Sequence, residues 1–149
     1  MKKWPKFNNN GDLPRGIHKA SLSDVIEHFG KNNFQRAILA QRLHRIYNLV
    51  VKTEQTARFI IFGSFVTNKP NPQDIDIFLL MEDTFDINQV VGEARIIFNH
   101  LATQNYEGAS IFWLRRMAAI DGEEAAIKHW QIKRDGNKRG IVEVLINDT

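Results

Sequence analysis

Apolar and polar positions alternate along this chain with two distinct periods, and the switches between them set out the elements. A period of two or an unbroken apolar run marks residues 58–63, 74–81 and 109–114 ("ASIFWL") as strands. A helical period runs from Phe34 through Ile38, Leu43, Ile46, Tyr47 and Val50. Gln35, Arg36, Arg42, Arg45 and Lys52 are assigned to the outer side of that helix. "SLSD" predicts a shorter helix before it, with Ser21 as N-cap, Asp24 three residues on, and an end near Gly30. A third helix is expected from about Ile87 to Leu101, capped by Thr84 or Asp86, and "DGEE" at 121–124 predicts the cap of a fourth running towards His129. The closing "WQIKRDGNKRGIVEVLI" reads as a hairpin turning at Asp135-Gly136-Asn137.

The order of these elements predicts an α+β fold: a mixed sheet of four to five strands flanked by helices, in one domain over 1–149. Residues 1–20 hold Pro5, Gly11, Pro14 and Gly16 among scattered apolar anchors, Trp4, Phe7, Leu13 and Ile17. Large apolar side chains are poor company for solvated disorder, so this stretch is expected to be an irregular arm packed on the domain.

Composition narrows the chemistry. The chain has 149 residues, 43% of them hydrophobic and 25% charged, and no cysteine, which excludes a disulfide scaffold and a thiolate zinc site. The basic N-terminus "MKKWPKFNNNGDLPRG" lacks the apolar stretch of a secretory leader, and no apolar run reaches the length of a membrane span. A cytoplasmic protein without membrane partners is the expectation. The net charge of +3 is dispersed and favours anionic partners only weakly.

The segment "IIFGSFVTNKPNPQDIDIFLL" (60–80) carries the chemistry. Alternate residues of a strand share a face, so Asp74 and Asp76 point together while Ile75 and Ile77 enter the opposite layer. Two like charges so placed stay ionised cheaply only with a cation or a set of donors between them. Oxygen ligands without Cys or clustered His suit Mg²⁺ or Mn²⁺. Gly63 lets backbone approach a ligand, and Ser64 offers a hydroxyl to phosphate oxygens. A triphosphate held at this turn would lie within reach of metal bound by the two aspartates. The plainer alternative is a D-x-D that caps the strand end, its carboxylates solvated or bonded to loop amides.

Gly63-Ser64, nine intervening residues and Asp74-x-Asp76 with apolar flanks resemble the signature of the polymerase-β-type nucleotidyltransferase superfamily, including its minimal bacterial members. "GDLPRGIHKASLSDVIEHFG", "FGSFVTNKPNPQDIDIF" and "RDGNKRGIVEV" together resemble an uncharacterised bacterial family of such domains, DUF6932. The resemblance implies metal-dependent transfer of a nucleoside monophosphate from an NTP to a protein or RNA acceptor. It assigns Asp74 and Asp76 as catalytic metal ligands and Gly63 and Ser64 as nucleotide-binding residues. It also implies a protein partner, a cognate toxin or antitoxin in a toxin–antitoxin or phage-defence pair. The superfamily usually adds a third carboxylate from a later strand. Here "ASIFWL" has none and Ser110 stands at the expected place; Glu107, just before that strand, and Glu143, within the last one, read as surface carboxylates. A catalytically inactive module that binds nucleotide or partner is the rival reading. Arg115-Arg116 and the cluster Lys133, Arg134, Lys138 and Arg139 are either contacts for phosphate or RNA, or a solvated surface.

Overall fold

The computed structural model describes residues 2–99 and 108–146. Five strands form one mixed sheet in the order β1-β5-β2-β3-β4. They are β1 (Ile17–Ala20), β2 (Thr56–Phe62), β3 (Ile75–Met81), β4 (Ala109–Arg115) and β5 (Ile141–Val144). β2 is antiparallel to both β3 and β5, whereas β1 runs parallel to β5 and β4 parallel to β3. One end of the sheet therefore receives the start of β1, β3, β4 and β5 together with the finish of β2. Three connections collect there: the N-terminal arm, the loop after Gly63 and the turn before β5.

Helices α1 (Leu22–Phe29) and α2 (Phe34–Val51) begin where their side chains satisfy backbone donors that a helix start leaves unpaired. Ser21 Oγ accepts from Asp24 N, and Asn33 Oδ1 accepts from Arg36 N. Gly30 closes α1. The two helices cover one face of the sheet, where Phe59, Ile61, Ile75, Ile77, Leu79, Ile111, Val142 and Val144 bury against Val25, Phe29, Leu43, Ile46, Tyr47 and Val50. The other face holds a smaller cluster of Ile60, Phe78, Leu80, Ile127 and Ile141, on which Phe62 and Trp130 pack. Trp130 stacks on Phe62 and Phe112, with ring centroids 4.4 and 5.2 Å away.

Several elements differ from the sequence reading. The arm packs as expected, with Trp4 stacked on His28 at 4.9 Å, but its last residues form β1 because β5 offers a parallel edge. The hairpin does not form. Its first half makes a single bridge, Ile132 to Lys138, and β5 pairs with β1 and β2 along its two edges while the clusters on either side of the sheet bury its faces. The expected third helix is broken into a 3-10 turn (Ile87–Gln89, capped by Asp86) and a short α3 (Glu93–Ile97), separated at Gly92, whose φ is +67°. Its expected end at Leu101 lies outside the described residues. The fourth helix, α4 (Glu123–Lys128), starts from Gly122 without a side-chain cap, so the "DGEE" cap is not made.

The largest departure is Arg36. It is 2% exposed on the inner stripe of α2, while Phe34, assigned to that stripe, is 79% exposed.

Candidate functional site

Gly63 follows β2 with φ +79°, a conformation that side-chain-bearing residues rarely adopt. A Cβ at this position would collide with Asp76 Oδ2, so the absence of a side chain lets the turn lie directly against the carboxylate. Ser64 opens a 3-10 turn through Val66. The loop that follows is unusually well tied for a segment with so little regular structure. Arg36 donates to Phe29 O (3.0 Å), Phe65 O (2.8 Å), Thr67 O (2.7 Å) and Lys69 O (2.6 Å). Asn33 Nδ2 and Gln35 Nε2 reach Pro70 O and Pro72 O at 2.6 and 2.8 Å. The first turn of α2 thus fixes the loop between Gly63 and Asp74. The planar guanidinium suits this task because it presents five donors in a fixed fork. Burial lowers its pKa from the ordinary value.

Asp76 lies in β3 beside Phe62 of β2 and Ser110 of β4. Asp74 immediately precedes the strand. Both aspartates line one cavity of about 550 Å³ together with Ser64, Lys69, Gln73, Lys133, Arg134, Asp135 and Arg139. Burial, and after it the Asp74 charge, push the Asp76 carboxyl up to about 6; Arg139 and Arg134 oppose the shift. Such a carboxylate is held in an environment that would be relieved by a cation.

Ser64, Asp74 and Asp76 therefore meet in space as the sequence spacing predicts, with Gly63 against Asp76. Neither β4 nor Glu143 supplies the third acid; the other carboxylate lining the cavity is Asp135, on the turn before β5, whose Oδ1 accepts from Asn137 N. β4 carries no carboxylate, and Ser110 stands in register with Asp76. Glu143, read from sequence as a surface group, is 9% exposed on β5, with both oxygens bonded to Arg58 at 2.6 and 3.1 Å. That pairing commits Glu143 to structure and raises the Arg58 pKa. Glu107 lies outside the described residues.

Among the described residues, no group of three or more His, Asp or Glu is placed to hold a metal ion. Two carboxylates still fit Mg²⁺, which is commonly bound by one or two carboxylates and completed by water and substrate phosphates.

Sequence reasoning singled out Lys133, Arg134 and Arg139 but did not place them in the cavity of the two aspartates. Lys133 and Arg139 flank a turn that pattern alone assigns to a strand edge, yet both bond to Asp12 of the arm, at 2.9 and 3.2 Å. Asp12 and Lys133 are 121 residues apart, so no local motif joins them. The unusual burial of an acid in "GDLP" is legible only once the arm is docked. Arg115 and Arg116, by contrast, are occupied. Arg115 donates to Phe85 O at 2.8 Å, and Arg116 pairs with Glu82 and Glu123 at 2.8 and 3.0 Å.

The chain belongs to a family of unknown function, DUF6932, whose profile matches residues 5–145. No curated protein and no solved structure matches the chain. No helix among the described residues is long and apolar enough to cross a membrane.

Proposed function

We propose that this protein is a metal-dependent nucleotidyltransferase, moving a nucleoside monophosphate from an NTP to a hydroxyl of a protein or RNA acceptor. The observation that carries the reading is the seating of the Gly63 turn directly on Asp76, inside a cavity that also holds Asp74, Ser64 and four cations. Ser64 would hold phosphate oxygens, and Asp74 and Asp76 would hold Mg²⁺ or Mn²⁺. Bound metal supplies charge neutralisation at the phosphates. In the transfer, the acceptor oxygen bonds to the α-phosphorus and the bond from that phosphorus to the α–β bridging oxygen breaks. Pyrophosphate leaves, and the acceptor proton passes to solvent water, since β4 places no carboxylate beside Asp76 to take it. Arg36 acts earlier in this chain of causes, because it fixes the loop that orients Ser64 relative to Asp76.

A second reading has its own support. Ser110 occupies the register position beside Asp76 where a third carboxylate would serve as base or metal ligand. A protein built this way binds nucleotide without turning it over, as the partner-binding half of a toxin–antitoxin or defence pair. Incubation with α-³²P-labelled NTPs, Mg²⁺ or Mn²⁺ and the candidate partner separates the two. Transfer of label by the wild type, lost in Asp74→Ala/Asp76→Ala, supports the enzyme. Absence of label under every metal, NTP and partner supports the binding module. Ser110→Asp, which adds an acid beside Asp76, should raise a slow transfer.

A further inference from the structure

The turn before β5 is built more rigidly than a solvated charge cluster requires. Lys133 N donates to Asn137 O at 2.7 Å, Gly136 N to Lys133 O at 3.0 Å, and Arg139 N to Gln131 O at 2.9 Å. Asp135 Oδ1 caps the turn by accepting from Asn137 N at 2.9 Å. Gly140 N then ties the turn to the arm through Leu13 O at 2.9 Å. The arm returns the contact with charge. Asp12, 4% exposed, accepts from Lys133 Nζ and Arg139 Nη1 on its two separate oxygens. Asp12 is itself fixed by Asn8 Oδ1, which accepts from its N–H at 3.0 Å, and by a bridge to Thr67 of the loop after Ser64.

Asp12 therefore joins three segments: its carboxylate holds the C-terminal turn, and its backbone bridges the arm to Thr67 of the loop after Ser64. A single negative charge between two cations leaves one positive charge over. Arg134, exposed on the same turn, adds another that the neighbouring Asp135 offsets, and Lys69 lines the same cavity.

We propose that Lys133, Arg134 and Arg139, positioned by Asp12, form a polyphosphate clamp that receives the β- and γ-phosphates of a nucleotide. The assignment rests on the nucleotide reading for the identity of the ligand, but the clamp itself needs no metal. A monoanion meets one cation at a time, against the repulsion of Asp74, Asp76 and Asp135 in the same cavity. A compact polyanion gains from several cations at once, and guanidinium groups match phosphate oxygens in pairs. The carboxylates of Asp74, Asp76 and Asp135 interrupt the basic lining, which favours a compact polyphosphate over a nucleic-acid backbone that needs a continuous basic groove. Asp12 acts through Lys133 and Arg139 and is a positioning residue.

The test uses sodium tripolyphosphate in EDTA at low salt, titrated into the full chain by calorimetry. The wild type should bind it, and Arg134→Glu, at an exposed site, should weaken binding at least about tenfold, the scale of a lost charge-assisted contact. Asp74→Ala/Asp76→Ala should bind as well as or better than the wild type, since two repelling charges are gone. Asp12→Asn, which keeps the shape and loses the charge, should lose affinity and Asp12→Glu should recover part of it, a rescue that a role for shape alone would not give. No binding by the wild type, equal binding by Arg134→Glu, or binding that requires both metal and the two aspartates overturns the clamp. Capture of an unstructured RNA octamer without tripolyphosphate competition also overturns it. Failure of NTP binding with metal, while metal-free tripolyphosphate binding persists, overturns the transferase reading and leaves the clamp standing.

Discussion

Asp76→Asn should stabilise the metal-free protein at pH 8 and leave it almost unchanged at pH 4. Asparagine keeps the shape of the carboxyl group and removes its charge. In the folded protein that carboxyl titrates at about 6, against an ordinary value of 3.8, because it is partly buried and beside Asp74. The folded state therefore holds the Asp76 proton more tightly than the unfolded state does. This favourable contribution is complete below about pH 4, and it is lost as pH rises through about 6. At roughly 1.4 kcal/mol per decade the difference approaches 3 kcal/mol, and solvent screening of a half-buried group reduces it to about 1–2 kcal/mol. Urea denaturation in EDTA at a series of pH values gives the difference between variant and wild type directly. A gap that opens between pH 4 and 7 and is flat above pH 7 is expected. No gain at pH 8, or an equal gain at pH 4, would show that Asp76 is not held in a charge-averse setting. Saturating Mg²⁺ should narrow the gap by stabilising the wild type alone.

Two further substitutions probe the frame that positions the site. Arg36→Leu leaves four carbonyls without their donor and should cost at least about 3 kcal/mol in denaturant midpoint analysis, and Arg36→Lys should recover little because an ammonium cannot span the same fork. A cost below about 1 kcal/mol would contradict the role given to this residue. Ile46→Ala, at a position 1% exposed, should cost about 2–5 kcal/mol, whereas truncating Phe34, 79% exposed, should cost little by the same assay.

The parts legible in the sequence are those governed by local rules. Ser21 and Asn33 cap their helices because a short polar side chain can reach nearby backbone donors. β2, β3 and β4 follow from apolar runs bounded by turn residues. Asp74 and Asp76 meet Ser64 because β2 and β3 are antiparallel neighbours joined by one loop.

Long-range pairing decides the rest. β1 exists because β5 lies beside it, and β5 abandons a local hairpin because two other strands, β1 and β2, hold it from either side. Arg36 is instructive in another way. Its spacing to Leu39, Ala40 and Leu43 already places it on the buried stripe, but charge outweighs period in a hydropathy reading. Only the loop carbonyls explain why a guanidinium belongs inside. Asp12, Lys133 and Arg139 illustrate the same limit, since their reason for being together lies in a docked arm.

The most direct test of the account is calorimetric titration of NTP in the presence and absence of Mg²⁺, with wild type and Asp74→Ala/Asp76→Ala compared. The site described here predicts binding by the wild type that is strengthened by Mg²⁺, and loss of that metal-dependent part in the double variant. An NTP that binds both proteins equally and ignores the metal would contradict the assignment of these two carboxylates.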